Sequence, residues 1–170
     1  MGWAATYFAE VKSVSAEQAA QLASLFYIGI TASRFICGFV SDKLGDRKMI
    51  VAGTGILAGG IVLLMLPAPT AVAVVGFVVI GFGCGPIYPC IIHSTPHNFG
   101  AENSGAIIGI QMAGAYVGST FVPPLFGVLG RAVGFDVLPV YLIVFVILML
   151  VMIELTFRSA KKRAASEVQK

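Results

Sequence analysis

Apolar runs of membrane length alternate with short polar breaks along almost the whole chain. Five stand out: residues 16–40, 49–66, 71–92, 104–129 and 140–157. About 20 predominantly apolar residues carry a helix across the hydrocarbon core of a bilayer, so each run predicts a transmembrane helix. The punctuation agrees. Ser15 followed by Gln18 resembles a capping box at the start of the first run. Pro67 and Pro69 stop the second, and Pro139 stands where a helix begins. Short connections predict antiparallel neighbours in one domain covering residues 1–170. Residues 1–11 are too short to cross. Trp3 and Tyr7 predict a place in an outer aromatic belt, and the stretch reads as the outer end of a sixth helix that begins further upstream.

Composition names the solvent. Hydrophobic residues make up 58% of the chain, charged residues 11%, and the mean hydropathy is +0.92. A soluble domain carries about 25% charged residues, and 170 residues cannot hide this much apolar surface from water. The expected fold class is an all-α polytopic membrane protein, with the lipid bilayer as its surroundings.

The net charge of +3 does not predict nucleic-acid binding, because the cations sit in loops and the tail. Lys43, Arg47 and Lys48 fall in the first loop, and Arg158, Lys161, Lys162, Arg163 and Lys170 in the tail, residues 158–170. Five spans put both groups on one side, which the positive-inside rule makes cytoplasmic. The expected location is therefore the cytoplasmic membrane, with the C-terminus inside. The basic tail also suits an anionic inner leaflet.

Polar residues inside the runs are the candidates for function. Ser24, Tyr27, Thr31, Arg34 and Gly38 recur at helical spacing and form one stripe. An Arg at membrane depth costs about 2.5 kcal/mol or more. Arg34 therefore predicts either a water-filled cavity face or a side chain snorkelling to the interface. Tyr27, Thr31 and Arg34 are candidate solute-binding residues. In the fourth run Ser104, Gln111, Ala115 and Gly118 share a second stripe. Gln111 there can hydrogen-bond a solute hydroxyl or a neighbouring helix. Tyr116 is a further candidate, near the small-residue face of Gly105, Gly109 and Ala113, which predicts close approach of another helix. Gly81, Gly83, Gly85, Pro86 and Pro89 predict a bend centred on Gly85, Pro86 and Pro89; such irregular backbone at membrane depth must face protein or water.

Other chemistry is poorly supported. Cys37, Cys84 and Cys90 lie inside apolar runs and read as packing residues. His93 and His97 are four apart, but Pro96 is expected to break the helix that would align them, leaving a solvated cytoplasmic turn. Glu154 and Arg158 suit an i, i+4 anchor pair at the end of the last span. No metal, no cofactor and no enzymatic constellation is predicted.

The first loop carries a specific order: Gly38, Asp42, Lys43, Gly45, Asp46, Arg47 and Lys48. Two further stretches accompany it and the Phe26–Arg34 segment before it: Gly81 to Pro89, and Asn103 through Gly127. Together these resemble the C-terminal half, spans seven to twelve, of a major facilitator superfamily transporter, nearest to the fucose-permease-like sugar:proton symporter branch. The resemblance implies two six-helix halves around a central cavity and alternating access by rocking. It implies a sugar-like small molecule and protons as partners, and an N-terminal half-domain that this chain lacks. It also implies a gating role for the loop, in which Asp42 and Arg47 pair across the cytoplasmic interface in one state and part in the other. Asp42 would suit a helix N-terminus on the opposing half. The alternative is a non-transporting membrane fragment or accessory helical protein.

Overall fold

The computed structural model describes residues 2–168, with side chains at all of these except 2, 42 and 160–168. Seven α-helices follow in order among the described residues: α1 Gly2–Glu10, α2 Ala16–Leu44, α3 Asp46–Met65, α4 Thr70–Cys84, α5 Ile87–Phe99, α6 Ala101–Val133 and α7 Leu138–Val168, with a 3-10 turn at Phe135–Val137 before the last. Five stretches are long and apolar enough to cross a membrane: Ala16–Ser41, Asp46–Met65, Thr70–Phe99, Ala101–Val133 and Phe135–Ser159. The chain is an all-α polytopic membrane protein.

Local chemistry sets the helix ends. The Ser15 hydroxyl oxygen accepts from the Gln18 amide at 3.4 Å, capping α2. Gly45, at φ 78°, closes α2 by donating its N–H to the Ser41 carbonyl at 2.9 Å, and α3 starts at the next residue. Only glycine adopts that left-handed backbone freely. Gly100, at φ 84°, ends α5 in the same way. Between them lies a correction. The expected turn around His93 and His97 is helix, and α5 runs through Pro96 to Phe99. One proline deletes a single donor, and burial of Ser94 and Thr95 on either side of that turn's packed face holds the segment in place.

The core centres on α4, held between α2 and α3. Its glycines are the reason these helices approach so closely. A Cβ at Gly81 would overlap the Phe26 carbonyl of α2, and one at Gly83 would lie 2.6 Å from the Gly53 carbonyl oxygen of α3. Gly60 of α3 would place a Cβ 2.8 Å from the Gly76 carbonyl oxygen. Apolar lipid gives helices little hydrophobic reason to associate, so small residues that allow backbone contact take over. Gly81 and Gly83 are thus packing grooves on two faces of α4, not parts of the bend. The interruption itself is confined to Gly85 and Pro86, where α4 ends and α5 begins, with Pro89 in the first turn of α5.

α1 fills the end of the bundle beside the α3–α4 connection, and its aromatics differ from expectation. Tyr7 is buried and donates its hydroxyl to the Leu64 carbonyl at 3.3 Å. Trp3 donates its ring N–H to the Pro123 carbonyl at 2.9 Å and stacks on Phe135 at 5.7 Å. Phe8 is fully buried against Phe77, ring centres 5.1 Å apart. A ring with one polar atom suits a lipid interface or a buried site that offers an acceptor equally well; the Leu64 carbonyl of α3 meets Tyr7 in a buried site, while Trp3 is half-buried against α6.

Coverage is uneven. In α6 none of an 18-residue stretch of mean hydropathy 1.3 is buried, and in α2 only 22% of a stretch at 1.5 is. Gly105 and Gly109 have nothing within 4 Å of where a Cβ would stand, and Ala113 is exposed. The close neighbour expected on that face of α6 is therefore not another helix of this chain.

Candidate functional site

Four of the five solute-site candidates lie on these open faces. Tyr27, Thr31 and Arg34 recur at helical spacing on α2, beside its packed residues Ala23 and Cys37, and all three are exposed. Tyr116 of α6 is 73% exposed. Ser119 and Thr120 below it donate their hydroxyls back to the Tyr116 carbonyl at 3.0 and 2.8 Å, so they are occupied by their own helix.

Gln111 is placed differently. Its side-chain amide donates to the Thr95 hydroxyl oxygen of α5 at 3.2 Å, and that hydroxyl donates on to the Ile91 carbonyl at 2.9 Å. The geometry is a satisfied interhelical bridge beside a cavity of about 200 Å³ lined by Ile50, Asn98 and Met152 among others. Replacing Gln111 by Ala should cost about 1 kcal/mol, the ordinary net value of one such bond. A thermal unfolding scan of the purified protein should then show a lower midpoint with the apparent KM for solute unchanged. A raised KM with an unshifted midpoint would return Gln111 to the solute site.

A larger cavity of about 440 Å³ lies inside the bundle, bordered by Trp3, Phe26, Phe77, Phe126, Tyr141 and Phe145. Its wall is almost wholly apolar, and none of Tyr27, Thr31, Arg34 or Tyr116 contributes to it.

The charged loop is engaged within this chain. Asp46 contacts the His93 ring nitrogen Nδ1 at 2.9 Å, tying the start of α3 to α5. Arg47 reaches Glu154 of α7 at 3.3 Å and lies 5.2 Å from the centre of the Phe157 ring. Glu154 also accepts from Arg158 at 2.8 Å. Sequence reading found the Glu154–Arg158 pair but not these longer ties. Their only signal was that residues 46–47, 93 and 154 all fall at span ends on one side. Lys43 and Lys48 are exposed, Gly38 has open space where a Cβ would stand, and the Asp42 side chain lies outside the described residues. The tail residues Lys161, Lys162, Arg163 and Lys170 do as well.

At the bend, Gly85 packs on Ser33 of α2, where an added Cβ would lie 2.6 Å from the serine Cβ. Pro86 is buried and Pro89 exposed. Cys37 and Cys90 meet across the same α2–α5 contact with sulfurs 3.9 Å apart. Among the described residues no group of three His, Cys, Asp or Glu is arranged to hold a metal ion.

Residues 1–170 match the family model described as Major Facilitator Superfamily. Curated relatives are distant. An uncharacterized MFS-type transporter of Yersinia pestis is 23% identical over 131 residues, 77% of this chain and 34% of the relative. The multidrug transporter protein MdtP of Bacillus subtilis is 25% identical over 125 residues, covering 72% of this chain and 23% of the relative. An uncharacterized MFS-type transporter of Salmonella typhimurium is 27% identical over 119 residues, 66% and 29% respectively. The chain thus matches between 23% and 34% of the length of these relatives. No solved structure matches it.

Proposed function

Since this chain belongs to the Major Facilitator Superfamily, we propose that it is the C-terminal half of a secondary transporter of the fucose-permease-like branch, moving a small, polar, sugar-like solute with proton coupling. The missing N-terminal half would face α2 and α6 across a central cavity, and the two halves would rock to expose the site to each side in turn. The basic end would lie in the cytoplasm.

One observation carries this reading. The two least apolar spans, α2 and α6, with mean hydropathy 1.5 and 1.3, are also thinly covered, at 22% and 0% buried, whereas the span in α7, as thinly covered as α2 at 22%, reaches 2.8. A helix facing lipid should be the most apolar, as α7 is. The open faces of α2 and α6 carry an Arg, two Tyr and a Thr, which suit water or protein far better than hydrocarbon.

A second reading has its own support. The apolar cavity and the name of the Bacillus subtilis relative favour transport of apolar compounds. Membrane vesicles containing the full-length protein separate the two. Radiolabelled sugars, sugar acids and a lipophilic cation are offered with and without an imposed proton gradient. Gradient-dependent sugar accumulation supports the symport reading. Movement of the lipophilic cation alone supports the second. No movement of any compound above empty vesicles supports the accessory role.

A further inference from the structure

Arg34 is the one charged side chain set well inside the five spans. No Asp or Glu occurs in residues 18–41, 47–101, 103–135 or 137–153. Arg34 is exposed and has no hydrogen-bond or ion-pair partner among the described residues. It stands seven residues before Ser41, where its span ends, which is about 10 Å of helix rise. Side chains on a helix lean towards its N-terminus. Arg34 therefore leans away from the nearer membrane surface, which makes snorkelling to that surface a poor account of it.

A guanidinium at this depth needs an anion, because an unpaired ion in low dielectric is strongly disfavoured. Its neighbours indicate the kind. Thr31 and Tyr27 stand on the same exposed face, three and seven residues back, and neither hydroxyl has a partner among the described residues. The face thus offers a planar cationic fork, which matches a carboxylate through two parallel hydrogen bonds, next to two hydroxyls able to give and accept.

Resting on the transport reading above, we infer that Tyr27, Thr31 and Arg34 bind a solute bearing both a carboxylate and hydroxyl groups, a sugar acid and not a neutral sugar. Arg34 holds the carboxylate. Thr31 and Tyr27 meet hydroxyls further along the molecule. The same positive charge disfavours a cationic solute on this face.

Purified full-length transporter tests this with two probes matched in every hydroxyl but one, D-galacturonate and D-galactose. Binding of labelled probe is measured for wild type, Arg34→Gln and Arg34→Lys, each checked for a single symmetric peak on size exclusion. The expected result is galacturonate binding by wild type, at least tenfold weaker in Arg34→Gln, partly kept in Arg34→Lys, with no galactose binding by any of the three. Equal binding of both probes overturns the inference. So does galacturonate binding that survives Arg34→Gln, which would assign the Arg34 counter-charge to the opposing half or a lipid headgroup. Binding of neither probe overturns it as well. Failure of the transport reading looks different, since no compound would then move in the vesicle assay; if only the sugar-acid inference fails, neutral sugars still accumulate and Arg34→Gln leaves them unaffected.

Discussion

Replacing Gly81 by alanine should leave almost no correctly folded protein in the membrane fraction. The added Cβ would overlap the Phe26 carbonyl, so the obstacle is the backbone of α2 and not a side chain that can turn aside. Gly85, one turn on, faces the same helix and would meet Ser33 at 2.6 Å. Relieving either contact means moving two long helices apart along their whole seam. Overpacking in ordinary cores costs about 1–3 kcal/mol, and a backbone obstacle belongs at or above the top of that range. Gly105→Ala is the matched control: nothing lies within 4 Å of its Cβ position, and alanine favours helix over glycine by about 1 kcal/mol. Membrane-fraction abundance and size-exclusion profile are the measurements. A Gly81→Ala protein that elutes like wild type would refute the close α2–α4 seam.

The second large effect is expected where this chain shows no contact at all. Gly109→Leu should leave abundance and elution unchanged, because the site is open on every side within this chain. Initial transport rate by the full-length protein should nevertheless fall at least tenfold. A face of small residues admits either a close helix or a solute, and a leucine there obstructs both. If Gly109→Leu transports normally, the face meets lipid, and the placement of α6 at the cavity falls with it.

Much of this architecture is legible in the linear pattern. Spans need only length and apolarity, so five of them could be read without knowing any neighbour. The cap at Ser15 is equally local, since one hydroxyl meets one amide three residues on. What escapes is anything decided by a partner. Gly81 and Gly83 look like one flexible patch in sequence, yet at 100° per residue they point to nearly opposite sides of α4 and serve two helices. Trp3 and Tyr7 carry the chemistry of an interfacial belt, and only the Leu64 carbonyl shows Tyr7 to be buried, with Trp3 half-buried beside Pro123. Pro96 looks like a stop, but the buried side chains beside it outweigh one lost donor. Of the candidate site, the α2 stripe was visible because its residues share a helix. The Gln111 bridge was not, because Thr95 lies on another.

The tie made by Arg47 lies at one end of the bundle in contact with solvent, with side-chain exposures of 61% and 45% at Arg47 and Glu154. Dissolved ions reach such pairs, and the screening length near physiological salt is about 8 Å. Arg47 joins α3 to α7. The stiffness of that end is therefore shared between the protein and the electrolyte around it: firm in dilute solution, looser as ionic strength rises.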